Sequence, residues 1–123
     1  MLHLERRARK PSLLACLGAL LAAAAVGLSA YASHGIADPL AQSHVNTAAL
    51  YAFGHGVALA VLGPGQHNRV GKLALYILLL GTLLFAGSLV AGALWQLRTG
   101  LAPVGGTALM AAWLVYGLNA LRR

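Results

Sequence analysis

Five side chains that could do chemistry fall close together in this sequence: His34, Asp38, His44, Tyr51 and His55. Imidazole and carboxylate groups can bind zinc, copper or iron, and histidine changes its charge close to neutral pH. At about 100° per residue, a helix places His44, Tyr51 and His55 within about 40° of one another. The spacing therefore predicts a polar stripe along one helical face.

Three interpretations of this stripe compete. A metal site could use His34, Asp38, His44 and His55, but no H-x-x-x-H motif with a third ligand is present. A proton or small-ligand path could use Tyr51 and His55, since residues at i and i+4 are neighbours and could share a hydrogen bond. In the third interpretation the two side chains bridge helices by hydrogen bonds, each contributing about 0.6–2 kcal/mol. We favour the bridging role.

Four long stretches without Asp, Glu, Lys or Arg carry these side chains: residues 11–37, 39–68, 73–97 and 99–121. Each is long enough to cross a bilayer core, which takes about 20 helical residues. A backbone in lipid must satisfy its own hydrogen bonds, which favours helices. The sequence thus predicts an all-α polytopic membrane protein, an antiparallel bundle of four transmembrane helices.

Local signals set the predicted boundaries. We expect a basic cytoplasmic leader over residues 1–11 and a single transmembrane domain over residues 12–123. The predicted helices cover about 12–32, 47–63, 73–97 and 103–121. Gly63-Pro64-Gly65 is typical of a helix end, and Pro103 suits a first helical turn.

Composition agrees with membrane residence. Hydrophobic residues make up 59% of the chain and charged residues only 9%, whereas soluble domains have about 25% charged residues. The net charge of +7 does not indicate nucleic-acid binding, because the basic residues flank the apolar stretches. Cys16 is the lone cysteine, so no intramolecular disulfide forms.

The positions of Lys and Arg predict orientation. Eight lie in the leader, in the segment 63–72 and at the C-terminal end, and only Arg98 lies in the alternate connections. Basic residues concentrate on the cytoplasmic side, which predicts a multi-pass protein with both termini in the cytoplasm.

The N-terminal segment also has the outline of a signal peptide. A basic leader and an apolar stretch precede Ala30-Tyr31-Ala32, a small-residue cleavage pattern. The uncharged run is longer than the roughly 7–15 apolar residues of a signal peptide. We therefore expect this segment to remain as the first helix, with cleavage as the alternative.

Four short motifs carry a family resemblance: SAYASHG at 29–35, LYAFGH at 50–55, GTLLFAGSL at 81–89 and PVGG at 103–106, with Trp113 after them. In order and spacing they resemble the YgdD-like small inner-membrane proteins, a domain of unknown function with relatives among small eukaryotic transmembrane proteins. The likeness covers about residues 12–123. It implies a four-helix inner-membrane protein without an established activity, and it counts against cleavage of the first segment.

The resemblance also implies a set of characteristic positions. They are His34, Tyr51, His55, Gly87, Ser88, Pro103, Gly105 and Gly106. This chain departs from the family at Ser29 and Ala32, where glycines are usual, and at Leu50, where relatives often carry a polar or acidic residue. The departure at Leu50 weakens the case for a titratable pair at Tyr51.

No catalytic motif emerges from the residues, so we expect no enzyme, no cofactor and no metal ion. The predicted role is a structural or accessory subunit that binds lipid, another membrane protein or a second copy of itself. Gly87 and Gly92 are expected to provide close helix contacts, as are Ala19, Ala23 and Gly27 of the first helix. The alternative is an oligomeric transporter or channel component that passes protons or a small solute along a His34–Tyr51–His55 face.

Overall fold

The computed structural model describes residues 11–122, which form four α-helices. They are α1 (Leu13–Gly35), α2 (Pro39–Leu62), α3 (Arg69–Trp95) and α4 (Leu101–Ala120), with a short 3₁₀ turn at Gly63–Gly65. No strand occurs in this part of the chain. The predicted all-α class is confirmed.

Each helix is long and apolar enough to cross a membrane. The shortest, α4, has 20 residues, which corresponds to about 30 Å at the usual helical rise. Large apolar side chains remain exposed along all four helices. Such a surface suits contact with lipid, so the chain is a four-helix membrane protein.

Side-chain caps begin three of the helices. Ser12 Oγ accepts a hydrogen bond from the Ala15 backbone N–H at 3.1 Å, and Asn68 Oδ1 accepts one from Gly71 at 2.7 Å. Asp38 Oδ2 accepts from Ala41 at 2.9 Å. Each cap satisfies one of the backbone donors that a helix start leaves unpaired.

The second helix begins earlier than the sequence predicts, at Pro39 instead of near residue 47. Asp38-Pro39 also fits a turn, but an Asp cap followed by proline is a strong helix-start signal. The connection from α1 therefore contains only Ile36, Ala37 and Asp38. Gln42 closes it, because its Nε2 donates to the carbonyl oxygen of Ala32 at 2.8 Å.

The other boundaries differ by smaller amounts. Helix α1 continues to Gly35, α3 begins at Arg69 and ends at Trp95, and α4 begins at Leu101. Pro103 lies in the first turn of α4, as predicted. The basic leader predicted over residues 1–11 lies outside the described residues except for Pro11, as does Arg123.

Consecutive helices pack side by side. Helix α1 lies along α2 and α4 lies along α3, so that the chain forms two hairpins joined by the contact between α2 and α3. Helix α1 touches α3 only slightly. Helices α1 and α4 are therefore the outer helices, and much of their surface is free of other helices.

The interior has two zones. One is made mainly of leucines and draws on all four helices: Leu14, Leu59, Leu75, Leu78, Leu109 and Ala112. In the other, the buried residues are all alanines: Ala25, Ala48, Ala52 and Ala86. Alanine lets helix backbones approach closely, which suits packing within lipid.

Two polar links mark one end of the molecule. Asn119 Nδ2 donates to Asn68 Oδ1 at 3.1 Å, and Gln66 Nε2 donates to the Tyr116 hydroxyl at 3.3 Å. The segment 63–68 and the C-terminal end of α4 are thereby held together. We call this the loop-63 end, and the opposite end, at residues 36–38 and 96–100, the loop-36 end.

Candidate functional site

A row of aromatic rings connects α2 to α4. Its members, which we call the clasp, are Tyr51, His55, Phe85, Trp113 and Tyr116. Successive ring centroids lie 4.8–6.1 Å apart, within the range of favourable aromatic pairs. Because α4 packs mainly along α3, the clasp adds a direct side-chain link from α4 to α2.

His55 is the polar centre of the clasp. Its Nε2 lies 3.0 Å from the Trp113 Nε1–H, and its Nδ1 lies 2.7 Å from the Tyr51 carbonyl oxygen. An indole N–H can only donate and a carbonyl can only accept. His55 is therefore the neutral tautomer with its proton on Nδ1, and both ring nitrogens are paired with the protein.

Tyr51 contacts His55 differently from the sequence-based prediction. The spacing predicted a hydrogen bond between the two side chains. Instead, His55 Nδ1 bonds the backbone carbonyl of Tyr51. The two rings stack, with an angle of 10° between their planes. The Tyr51 ring also packs edge-on against Phe85. The hydrogen bond that links helices is the one to Trp113, a residue that the sequence-based interpretation did not pair with His55.

His34 lies away from the clasp. It is exposed near the end of α1 and lines a groove of about 600 Å³ between α1 and α2, together with Ser33 and Asn46. At about 100° per residue, Tyr51 and His55 lie on roughly the opposite side of α2 from the groove-lining Asn46. The predicted continuous face through His34, Tyr51 and His55 is therefore wrong.

The groove changes character along its length. Its walls near the loop-36 end carry Ser29, Ser33, His34 and Asn46, and deeper along the helices they carry Val26, Leu50 and Phe53. A polar mouth above an apolar channel matches the shape of a lipid, with its headgroup near the interface and its acyl chain in the membrane core.

The possible metal ligands do not converge. His34 lines the α1–α2 groove, and His44 and Asp38 line a separate cavity at the loop-36 end. Within residues 11–122, no three His, Cys, Asp or Glu side chains come together as a metal-binding group. The geometry therefore gives the metal interpretation no support.

The glycines that bring helices together are not those predicted. A Cβ on Gly87 would have nothing within 4 Å, and one on Gly92 would meet only the Leu97 carbonyl at 3.7 Å. The close-contact role predicted for Gly87 is wrong, as is that of Gly27, which also has open space around it. Ala19 and Ala23 are exposed as well.

Two reciprocal glycine pairs form the close contacts instead. Gly18 of α1 faces Gly56 of α2, and a Cβ on either would lie 2.5–2.6 Å from the carbonyl oxygen of the other. Gly81 of α3 faces Gly105 of α4 in the same way, at 3.1 and 2.8 Å. Gly105 is one of the positions implied by the family resemblance, and its structural role is this crossing.

The remaining predicted positions have local roles. A Cβ on Gly106 would lie at an ordinary contact distance, 3.7 Å, from the Phe85 ring. The Pro103 carbonyl accepts a hydrogen bond from Thr107 Oγ1 at 2.8 Å. Ser88 Oγ lies 2.7 Å from Thr99 Oγ1 in the α3–α4 connection.

Comparison with known proteins identifies relatives of uncharacterised activity. The family model described as "Protein of unknown function (DUF423)" matches residues 28–106. A "UPF0382 membrane protein" of Staphylococcus epidermidis is 34% identical over 113 residues, covering 86% of this chain and 93% of the relative. One from Haemophilus influenzae is 37% identical over 101 residues, covering 75% and 82%. No solved structure matches the chain. The resemblance predicted from the motifs is confirmed.

Proposed function

This chain belongs to the DUF423 family, whose function is unknown, and from that premise we propose that it is a small structural or accessory protein of the membrane. In this role it holds lipid or another membrane protein against its helices and catalyses no reaction. It needs neither a cofactor nor a metal ion.

The hydrogen bonding of His55 carries this proposal. A proton carrier must take up and release a proton at an accessible nitrogen, but Nδ1 already bonds the Tyr51 carbonyl and Nε2 accepts from Trp113. A proton added at Nε2 would replace the acceptor with a donor and break the bond to Trp113. This arrangement favours a helix-holding role over a relay.

The surface of the protein supports the binding part of the proposal. Helices α1 and α4 are outer helices, and the α1–α2 groove offers a polar mouth above an apolar channel. Within residues 11–122 all four helices are continuous, without the broken helices that build transporter sites.

Variants of His55 test the helix-holding role. We expect His55→Leu to lose about 1 kcal/mol of stability in mild detergent, because leucine cannot accept the Trp113 hydrogen bond. His55→Gln should retain most of the stability, since its side-chain oxygen can accept that bond. Trp95→Phe is the matched control, because Trp95 is 65% exposed and lies outside the clasp.

The same proteins, reconstituted in vesicles under a pH gradient, test the transport alternative. We expect neither the parent nor the His55→Gln protein to dissipate the gradient. In a separate measurement, mass spectrometry of the purified parent should detect bound lipid or a partner protein. Dissipation by the parent that disappears in a folded His55→Gln protein would contradict the proposal and establish a proton path.

We further propose that the protein lies in the bacterial inner membrane with both termini in the cytoplasm. Two side-chain hydrogen bonds hold the C-terminal end of α4 against the segment 63–68, which places both at the loop-63 end. Among the described residues, this end carries Arg69, Lys72 and Arg122. Arg98 is the one Lys or Arg of the described residues at the loop-36 end. The bias in basic residues favours the loop-63 end as cytoplasmic.

Single cysteines test this orientation in spheroplasts after Cys16→Ala removes the native thiol. A membrane-impermeant maleimide should label Ala37→Cys in the α1–α2 connection and should label His67→Cys only after the membrane is permeabilised. Both positions are exposed, so access to the thiol depends on the side of the membrane. Labelling of His67→Cys in intact spheroplasts would show the reverse orientation.

A further inference from the structure

A cavity at the loop-36 end contains charges of both signs. It has a volume of about 450 Å³ and lies between the start of α2, the last turns of α3 and the α3–α4 connection. Asp38 and His44 line it from α2, and Arg98 lines it from the connection. This cavity is separate from both the clasp and the α1–α2 groove.

The two full charges in this cavity are not paired with each other. Asp38 is the one acidic residue among residues 11–122, and the structure shows no ion pair between it and Arg98. Asp38 uses Oδ2 to cap α2, which leaves its other carboxylate oxygen able to accept a hydrogen bond. A carboxylate and a guanidinium that share a cavity without pairing suit a ligand that carries both charges.

The hydroxyl groups in the cavity add donors beside Arg98. Ser88 Oγ and Thr99 Oγ1 lie 2.7 Å apart, and Thr99 Oγ1 also accepts from the Leu101 N–H at 3.3 Å. When Ser88 donates to Thr99, the hydrogen of the Thr99 hydroxyl remains available for an anionic oxygen. Arg98 can bind a phosphate group through two parallel hydrogen bonds.

The apolar part of the cavity lining indicates that the ligand is a membrane lipid. Leu40, Leu89 and Leu97 line the same cavity, which lies at the helix ends, at the level expected for lipid headgroups. We infer that this cavity binds the headgroup of phosphatidylethanolamine, with its ammonium group on Asp38 and its phosphate on Arg98 and Thr99. The inference rests on the proposed lipid-binding role and names the lipid class and the site.

Lipid competition tests this site with the full-length chain. Protein purified in mild detergent is mixed with equal amounts of phosphatidylethanolamine, phosphatidylcholine and phosphatidylglycerol, and retained lipid is counted by native mass spectrometry. We expect preferential retention of phosphatidylethanolamine, because choline has no N–H to donate and phosphatidylglycerol has no cationic group. Equal retention of the three lipids by the parent would overturn the inference.

Charge-removing variants locate the binding. Asp38→Asn and Arg98→Gln should each weaken phosphatidylethanolamine retention about tenfold, the loss of one charge-assisted hydrogen bond. Asparagine is as good a helix cap as aspartate, so Asp38→Asn removes the charge and keeps the start of α2. Arg69→Gln, which removes an exposed basic residue at the opposite end, is the matched control. Unchanged retention in both Asp38→Asn and Arg98→Gln would overturn the site.

Soluble glycerophosphoethanolamine distinguishes a lipid from a free zwitterion. It should compete weakly, because it lacks the acyl chains that would contact Leu40 and Leu89; competition as strong as that of the lipid would overturn the lipid assignment. The proposed accessory role and the proposed lipid site are contradicted by different results. Proton flux through the parent would contradict it even if phosphatidylethanolamine were preferred, and loss of that preference without flux would leave the accessory role standing.

Discussion

Replacing Gly56 with leucine should separate α1 from α2 and lower stability in mild detergent by about 3 kcal/mol. A Cβ at this position would lie 2.6 Å from the Gly18 carbonyl oxygen and 2.9 Å from the Ala22 backbone nitrogen. Both are backbone atoms, so the clash cannot be relieved by rotating a side chain. Helix α1 has little contact beyond α2, and no other helix would keep it in place.

Gly54→Leu is the matched control for this prediction. Gly54 lies on the same helix, and a Cβ there would have nothing within 4 Å. Both substitutions make the same chemical change in α2, so the difference between their thermal melts, followed by size-exclusion chromatography, measures the crossing itself. Gly56→Ala should fall between the parent and Gly56→Leu. Equal melting of Gly56→Leu and Gly54→Leu would show that α1 does not cross α2 at this point.

Gly105→Leu should have a comparable effect on the second hairpin, again about 3 kcal/mol. A Cβ on Gly105 would meet the backbone nitrogen of Phe85 and the carbonyl oxygen of Gly81. Pushing α4 away from α3 would also pull Trp113 from His55, because Trp113 is on α4. We therefore expect both a lower melting temperature and a change in tryptophan fluorescence.

Gly87→Leu provides the control, since Gly87 is exposed and has open space around it. It should melt close to the parent and leave the fluorescence unchanged. Trp95→Phe can be combined with both variants so that the remaining signal comes from Trp113. A Gly87→Leu protein less stable than Gly105→Leu would contradict the packing of α3 on α4 and restore the contact predicted from the sequence.

The sequence by itself determined that this is a membrane protein of four helices. That information is local: an uncharged stretch of sufficient length must form a helix in lipid, because no water is present to pair its backbone. The wrong start predicted for α2 also has a local cause in the sequence. Asp38-Pro39 fits both a turn and a helix start, and the residues alone did not separate the two.

Only the tertiary structure decided which face of each helix meets another helix. In soluble proteins a polar face marks the side exposed to water, but here the surface toward lipid is as apolar as the surface toward a neighbouring helix. Gly87 and Gly105 therefore look equivalent in the sequence. A Cβ on Gly87 would face open space, whereas a Cβ on Gly105 would lie 2.8 Å from the Gly81 carbonyl oxygen.

The partners of the polar residues also depend on which helix faces meet, which the sequence does not show. The stripe of Tyr51 and His55 was visible from helical spacing, because both residues lie on one helix. The bond between His55 and Trp113 joins residues 58 positions apart, and His34 lies on the other side of α2. Spacing along one helix determines which residues share a face, whereas the residues that meet across helices are determined by how the backbones cross, here at Gly18–Gly56 and Gly81–Gly105.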